Sequence, residues 1–408
     1  MSSERREVGP RVPGVSGDPR DSSSSREPWG KTWFRDLDEA VIEADRCIQC
    51  GSCVRACPSD SIGIDDALAR PTLVRMCTGC SRCWDFCPRS GLRYERVLAD
   101  ETAQLDGVET IAARARQTDF TAVGQDGGVV SVILARLLEA NEIDGALVAR
   151  ERPDEPLSAE SYMATSATQI RESAGSRYAQ PMQLGRLEEQ IDGLDVDDPR
   201  IAIVGTPCVF QGLAALQRFP WEDGPDPIAL TISLMCTRSF DPHRLRSRCE
   251  GLGVDPSEIA RIDVSDGILL AENGRGQPLL EVPVETFDSA ALRGCDECAD
   301  FVGEAADISA GSVGSPDGFT TVMLRSEQGR GAWELVADAF DTTAVEEREI
   351  TRIEDWNGEN ARRALQRTYD PSGSIEVSYA DHRRAYDDSD RAPEPLNPAR
   401  VHQYEEWC

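Results

Sequence analysis

Residues 47–57 read CIQCGSCVRAC and are followed by Pro58; residues 77–87 read CTGCSRCWDFC and are followed by Pro88. The spacing C-x2-C-x2-C-x3-C-P thus occurs twice and puts eight of the chain's 14 cysteines into 41 residues. Clustered, regularly spaced cysteines read as metal ligands before disulfides. Nothing else in the sequence restricts the fold as tightly, because the chain around these cysteines has to enclose an inorganic group.

A 4Fe–4S cube needs four thiolates in a tetrahedral arrangement. Three cysteines of a tight loop reach three irons, and in paired runs the fourth cysteine of each run serves the other cluster. That assigns Cys47, Cys50, Cys53 and Cys87 to one cube, and Cys77, Cys80, Cys83 and Cys57 to the other. Gly51 and Gly79 leave room for backbone beside sulfide, and the two prolines turn the chain away. The plainer alternative is a zinc module with CxxC knuckles, which has no need of a doubled eight-cysteine register. Residues 40–96 resemble a bacterial-type two-cluster ferredoxin domain. That resemblance implies single-electron traffic and leaves open what is oxidised or reduced.

The 408 residues suffice for about two to three domains. Acidic residues outnumber basic ones 73 to 43, the formal net charge is −30, and the single lysine is Lys31. Such a surface repels nucleic acid and anionic lipid. Because the acidic residues are spread along the chain, they favour a salt-adapted, haloarchaeal-looking protein over one with a basic partner. At 1 M salt, screening shrinks to about 3 Å. No stretch of about 20 apolar residues suggests a transmembrane helix, and the N-terminus lacks a signal-like apolar segment. A cytoplasmic protein is expected, with peripheral membrane association left open.

Residues 1–30, rich in Ser, Pro, Gly and Arg, read as a disordered leader. The two-cluster domain is expected over 31–97, with a helix from Trp33 to Asp45 leading into it. Beyond it the pattern alternates between helices and strands. Residues 129–141 (VVSVILARLLEAN) form a helix and 143–149 a buried strand. Residues 200–204 (RIAIV) form a second strand, with GTPC as the turn before a helix at 209–219. Residues 228–236 form a strand ending in cysteine, and Asn273-Gly274 marks a hairpin or a longer β-turn. Residues 320–326 and 331–340 form a strand and a helix. The fold class expected is α+β, a small 2×4Fe–4S ferredoxin domain followed by an α/β flavin-binding body over 98–370. Residues 371–408 read as an extended tail.

Six cysteines remain. Cys249 reads as a small core hydrophobe and Cys408 as a tail residue. Cys295 and Cys298 form a CxxC in a polar turn, Cys208 closes GTPC and Cys236 ends a strand. The ordered pieces Gln125–Leu134 (QDGGVVSVIL), Gly175–Tyr178 (GSRY), Gly205–Cys208, Cys236, Cys295 with Cys298, and Ala306–Gly311 resemble the beta-subunit family of coenzyme F420-reducing hydrogenases and F420-linked dehydrogenases. The likeness runs from about residue 100 to about 345. It implies a third 4Fe–4S cluster on Cys208, Cys236, Cys295 and Cys298. It also implies FAD against Gln125, Gly127, Gly128, Ser131, Ser176, Arg177, Tyr178, Gly205 and Thr206. Backbone N–H groups at the glycine-opened helix suit a pyrophosphate, and Arg177 suits phosphate or flavin oxygens. Two positions depart from the family pattern: Arg177 replaces a lysine and Ser312 an aspartate.

The activity implied is an F420-linked oxidoreductase. Hydride arrives as an electron pair, cubes take one electron at a time, and a flavin exchanges one for the other. No catalytic side chain is required, and none of His243, His382 and His402 is assigned a role. The partners implied are coenzyme F420 and a ferredoxin or a larger redox complex. Two rivals are a ferredoxin-dependent reductase of an organic substrate, like 7-hydroxymethyl chlorophyll reductase, and a non-catalytic electron-transfer subunit.

Overall fold

The computed structural model describes residues 33–80, 82–89, 107–218, 227–352 (except 266, 299 and 347) and 355–356. The expected leader, the C-terminal tail and the boundary near residue 97 lie outside the described residues.

The body is built on one mixed eight-stranded sheet. Its strands are β3 (Glu109–Ala115), β4 (Gly145–Arg152), β5 (Glu155–Ala164), β6 (Ile201–Gly205), β7 (Ile228–Leu234), β11 (Ile308–Gly311), β12 (Thr320–Leu324) and β13 (Phe340–Thr343), in the order β13-β3-β12-β11-β7-β6-β4-β5. The central four, β11, β7, β6 and β4, run parallel. The flanking strands pair antiparallel on both sides.

The parallel strands are covered on both faces and so read as continuous apolar runs. Side chains alternate between two cores. Ala146, Val148, Ala202, Val204, Leu230 and Ile232 pack with Val129–Glu139 and with Trp333 and Val336 of a second helix, Glu327–Val336. Leu147, Ile201 and Ile203 face the other way, onto Leu184 and Leu187 of Gln183–Asp192 and Val209, Phe210 and Leu213 of Pro207–Arg218.

Several elements differ from the sequence expectation. Ile143 is buried but precedes its strand, which starts at Gly145 and pairs with β5 (Glu155–Ala164), a hairpin whose half-buried, polar-rich second strand carries little apolar periodicity. GTPC is not all turn: Pro207 opens the helix, as proline at a first helical position does, and puts Cys208 in its first turn. The helix expected at 331–340 spans Glu327–Val336, capped by Ser326, whose Oγ accepts from the Gly329 N–H at 3.0 Å. Where the expected helix would have ended, Ala337–Ala339 form a 3-10 turn and Phe340 opens β13. The lead-in at Trp33–Asp45 is a short α-turn, Phe34–Leu37, widening into a π-helical turn, Asp38–Ile42.

A smaller antiparallel sheet, β10-β9-β8, comprises β8 (Arg261–Ser265), β9 (Ile268–Glu272) and β10 (Pro278–Pro283). The Asn273–Gln277 turn closes the β9–β10 hairpin, with Asn273 N–H donating to Gln277 O at 3.0 Å. Cys249 is buried among Leu245, Ile262, Leu269 and Phe287, the core role expected of it.

The cysteine-rich module carries a two-stranded hairpin, β1 (Ile62–Asp65) with β2 (Arg70–Leu73). It is not a separate bead. Its Ala56 and Phe86 belong to the body's second core, and Leu184 N–H donates to Cys50 O at 3.2 Å. Gly51 (φ +88°) lies so close to the body that an added Cβ would stand 2.3 Å from Gly185 N. No larger residue fits there without moving backbone.

Candidate functional site

The eight N-terminal cysteines gather in one small module. Cys53 feels the charge of Cys87, Cys47, Cys50 and then Cys83, and Cys80 feels that of Cys57. Backbone N–H groups point at their sulfurs: Gln49 at Cys47 (3.4 Å), Ser61 at Cys57 (3.3 Å), Phe34 and Gly79 at Cys77 (3.5 and 3.4 Å), and Arg89 at Cys87 (3.4 Å). These donors match thiolate acceptors, the ligand form of cysteine. Burial pushes the Cys47 and Cys53 thiols far up and Cys87 to about 11. Among the described residues, no three His, Cys, Asp or Glu side chains stand close enough to hold a single metal ion. Sets of thiol donors with backbone N–H groups aimed at their sulfurs fit the all-cysteine ligation of iron–sulfur cubes.

The other four cysteines also converge, from three separate segments. Cys208 feels Cys236 and Cys295, and Cys236 feels Cys295 and Cys298. Ser239 N–H donates to Cys295 Sγ at 3.4 Å, and Leu292 N–H to Ser239 O at 2.9 Å, tying the CxxC loop to the chain after β7. Burial raises all four thiols, Cys295 to about 11. Cys208 also feels Cys50 of the first cube set, so the third set adjoins the first.

Next to this set opens a cleft of about 1290 Å³, counting its mouth. It lies at the carboxyl ends of the parallel strands, where open α/β sheets bind ligands. Gly205 at the end of β6 and Thr206 after it, Met235 after β7, and Gly311 and Ser312 at the end of β11 all line it. Of the residues the sequence assigned to flavin, Gln125, Gly128, Ser131, Ser176, Arg177, Tyr178, Gly205 and Thr206 come together here. Gly127 does not line the cleft. Its N–H donates to Thr320 Oγ1 at 3.1 Å, and a Cβ there would stand 2.5 Å from Ala113 O, so this glycine serves packing. Gly128, at φ +66°, precedes the helix Val129–Glu139.

Three polar atoms of cleft-lining side chains, Gln125 Oε1, Ser173 Oγ and Arg177 Nε, are buried without a hydrogen-bond partner in the structure. Buried polar groups are normally paired, so the cleft has the polar points of a ligand site. Burial lowers the Arg177 guanidinium, with Glu151 opposing. Across the cleft, burial and then the neighbouring Asp263 push the Asp126 carboxyl up to about 6. Gln125 Nε2 donates to Asp263 Oδ1.

Sequence reasoning missed Gln180, Asp126 and Asp263. Gln180 Nε2 donates to Thr206 Oγ1 at 2.9 Å and to Ser239 Oγ at 2.7 Å. Thr206 Oγ1 meets Cys208 Sγ at 3.0 Å. Gln180 thus links the cleft to the third cysteine set. Asp126 lay inside the QDGG motif and Gln180 two residues past GSRY, so both had a local signal. Asp263 had none, because it arrives on the small sheet.

Comparison with known proteins agrees with this arrangement. Residues 110–187 and 198–351 match the N-terminal and C-terminal models of the coenzyme F420 hydrogenase/dehydrogenase beta subunit, and residues 40–92 match a 4Fe-4S dicluster domain. The chain is 31% identical to the coenzyme F420 hydrogenase subunit beta of Methanosarcina barkeri, over 59% of this chain and 83% of that one. It is 30% identical to the coenzyme F420-dependent sulfite reductase of Methanocaldococcus jannaschii, over 71% of this chain but only 46% of that longer protein. A chain of the F420-reducing NiFe hydrogenase complex from Methanosarcina barkeri superposes with a TM-score of 0.59 at 27% identity, covering 66% of this chain and 96% of that one. Among the described residues no helix is long and apolar enough to cross a membrane. With both halves of the body matched and the cysteine module ahead of them, the chain belongs to the coenzyme F420 hydrogenase/dehydrogenase beta-subunit family.

Proposed function

We propose that this chain is an F420-linked oxidoreductase that moves electrons between coenzyme F420 and single-electron carriers, with FAD in the cleft and three 4Fe–4S cubes on its twelve grouped cysteines. One observation carries the reading. The cleft and the third cysteine set share the same two loops: Thr206 lines the cleft two residues before Cys208, and Met235 lines it one residue before Cys236. A ligand in the cleft would therefore lie beside the cluster that takes its electrons.

Flavin, when bound, supplies the exchange between an electron pair and single electrons. The chain's residues do the remaining work. Arg177 and the first turn of the helix that opens at Val129 present positive charge and N–H donors to anionic groups. Tyr178 and Gln180 form the wall toward the cysteines. Asp126, poised near pH 6, can hold or release a proton within the cleft. The cysteine module extends the path outward, and a larger redox complex is the natural partner, since named relatives are subunits.

The test is anaerobic analysis of iron, sulfide and flavin per chain, then bleaching of reduced coenzyme F420 with a dye acceptor. About twelve irons, one flavin and bleaching are expected. Full iron without flavin would leave only an electron relay, and zinc would overturn the cluster reading altogether.

A further inference from the structure

Between the first N-terminal cysteine set and the third set lies a buried cation that the activity does not by itself require. Arg89 follows the Cys87-Pro88 pair and is only 3% exposed. Its Nε donates to Gly294 O at 3.0 Å and its Nη1 to Pro88 O at 3.4 Å. Gly294 directly precedes Cys295, and the Arg89 backbone N–H points at Cys87 Sγ at 3.4 Å. The Arg89 charge favours the thiolates of Cys295 and Cys298 on one side and of Cys47 and Cys87 on the other. A second buried arginine holds it in place: Arg46 Nη2 donates to Arg89 O at 2.9 Å, and Nη1 to Ala40 O at 3.0 Å. Gly294 closes the contact, because a Cβ there would stand 2.2 Å from Arg46 O. The loop bearing Cys295 and Cys298 is thus clamped onto the ferredoxin-like module at this guanidinium. The second cube set has a different buried arginine beside it, Arg82, which favours the Cys80 thiolate.

Burying a cation is costly unless it meets negative charge. Thiolate-ligated cubes supply that charge, and they carry more of it when reduced. A cation close to a cube therefore favours the reduced form, one of the levers that set cluster potentials. A cation shared by two cubes moves both in the same direction and leaves the difference between them little changed.

We propose that Arg89 is a positioning residue that raises the reduction potentials of the third cube and the first cube together, leaving electron exchange between them little changed. In each exchange one cube loses one electron and the other gains it, with no bond made or broken. The proposal rests on the reading that both sets hold cubes, and iron analysis tests that reading separately.

The experiment is a potentiometric titration, followed by electron paramagnetic resonance, of the anaerobic full-length holoprotein and its Arg89→Gln and Arg89→Lys variants. A Cys208→Ser variant identifies the third cube's signal. Fewer than about twelve irons in the parent would reject the three-cube reading, whatever Arg89 does. With the cubes present, Arg89→Gln should make reduction of the third and first cubes about tenfold less favourable, about 59 mV for a single-electron couple. The second cube should stay in place, and Arg89→Lys should stay near the parent. Unmoved potentials in Arg89→Gln would overturn the proposal, as would an equal shift in all three cubes or an equal shift in the lysine variant. If Arg89→Gln loses iron, Arg89→Lys decides: parent-like potentials uphold the role of charge, and a tenfold shift rejects it.

Discussion

The cysteine module and the α/β body are stabilised by different physics. In the module, a handful of apolar side chains (Phe34, Leu37, Val41, Ile62 and Trp84) surround the cysteines themselves. A region this small rarely holds a fold on burial alone, and its remaining support is the docking at Gly51, Ala56 and Phe86. The body buries two full cores on either side of a continuous sheet. The contrast teaches that the module has little burial of its own to hold it, whereas the body carries two cores that do not need the module.

The sharpest way to break this comparison is to remove iron. Chelation under oxidising conditions should unfold residues 33–89 while β4, β6 and β7 keep their protection in hydrogen exchange, since binding free energy at such sites is folding free energy. A module equally protected without iron would end the distinction. Next in size is Phe210→Ala. Phe210 is buried in the core that Ala56 and Phe86 share, and its truncation should cost about 3–5 kcal/mol in denaturant unfolding. Gly51→Ala should cost about 1–3 kcal/mol through a left-handed backbone and a close approach to Gly185. Its signature should be faster proteolysis between module and body rather than loss of the body's sheet.

A smaller, pH-dependent effect belongs to Asp126, whose carboxyl is raised from 3.8 to about 6 by burial first and Asp263 second. Folding favours its protonated form, so the stability it contributes is present below about pH 3.8 and lost as pH rises through about 6. Asp126→Asn should therefore gain stability over the parent between pH 4 and 7, read as a widening difference in Tm; a constant difference across that range would contradict the assignment. The smallest effect is expected at the exposed edge of the docking surface, where Arg55 Nη1 meets Glu188 Oε2 at 3.4 Å. Arg55→Ala should change stability by less than about 1 kcal/mol, and less again at high salt.

How much was legible follows the same division. The dicluster module could be read because the spacing of its eight cysteines is local: the geometry of a cube demands residues at fixed short intervals. The central strands could be read because burial on both faces leaves an uninterrupted apolar run, as in Ile201–Val204. β5 could not, since a half-buried flanking strand shows neither pattern. β13 was hidden because the apolar periodicity of the preceding helix runs on into Phe340 without a break. Gly127 looked like a ligand contact and lies instead against Ala113 and Thr320, because a glycine needed for close packing and one needed for a phosphate are the same letter.

By itself, the sequence determined the chemistry on offer: paired cysteine runs, four further cysteines in a family-like order, and glycine-opened segments suited to a large cofactor. Only the tertiary structure decided which of these meet. It joined Cys208, Cys236, Cys295 and Cys298 from three segments, set them beside the cleft through Thr206 and Gln180, and placed Arg89 between two cysteine sets. Ligand spacing along a chain is a local constraint. Adjacency between residues 89, 208 and 298 exists only once the sheet has brought its loops to one edge and the module has docked against them.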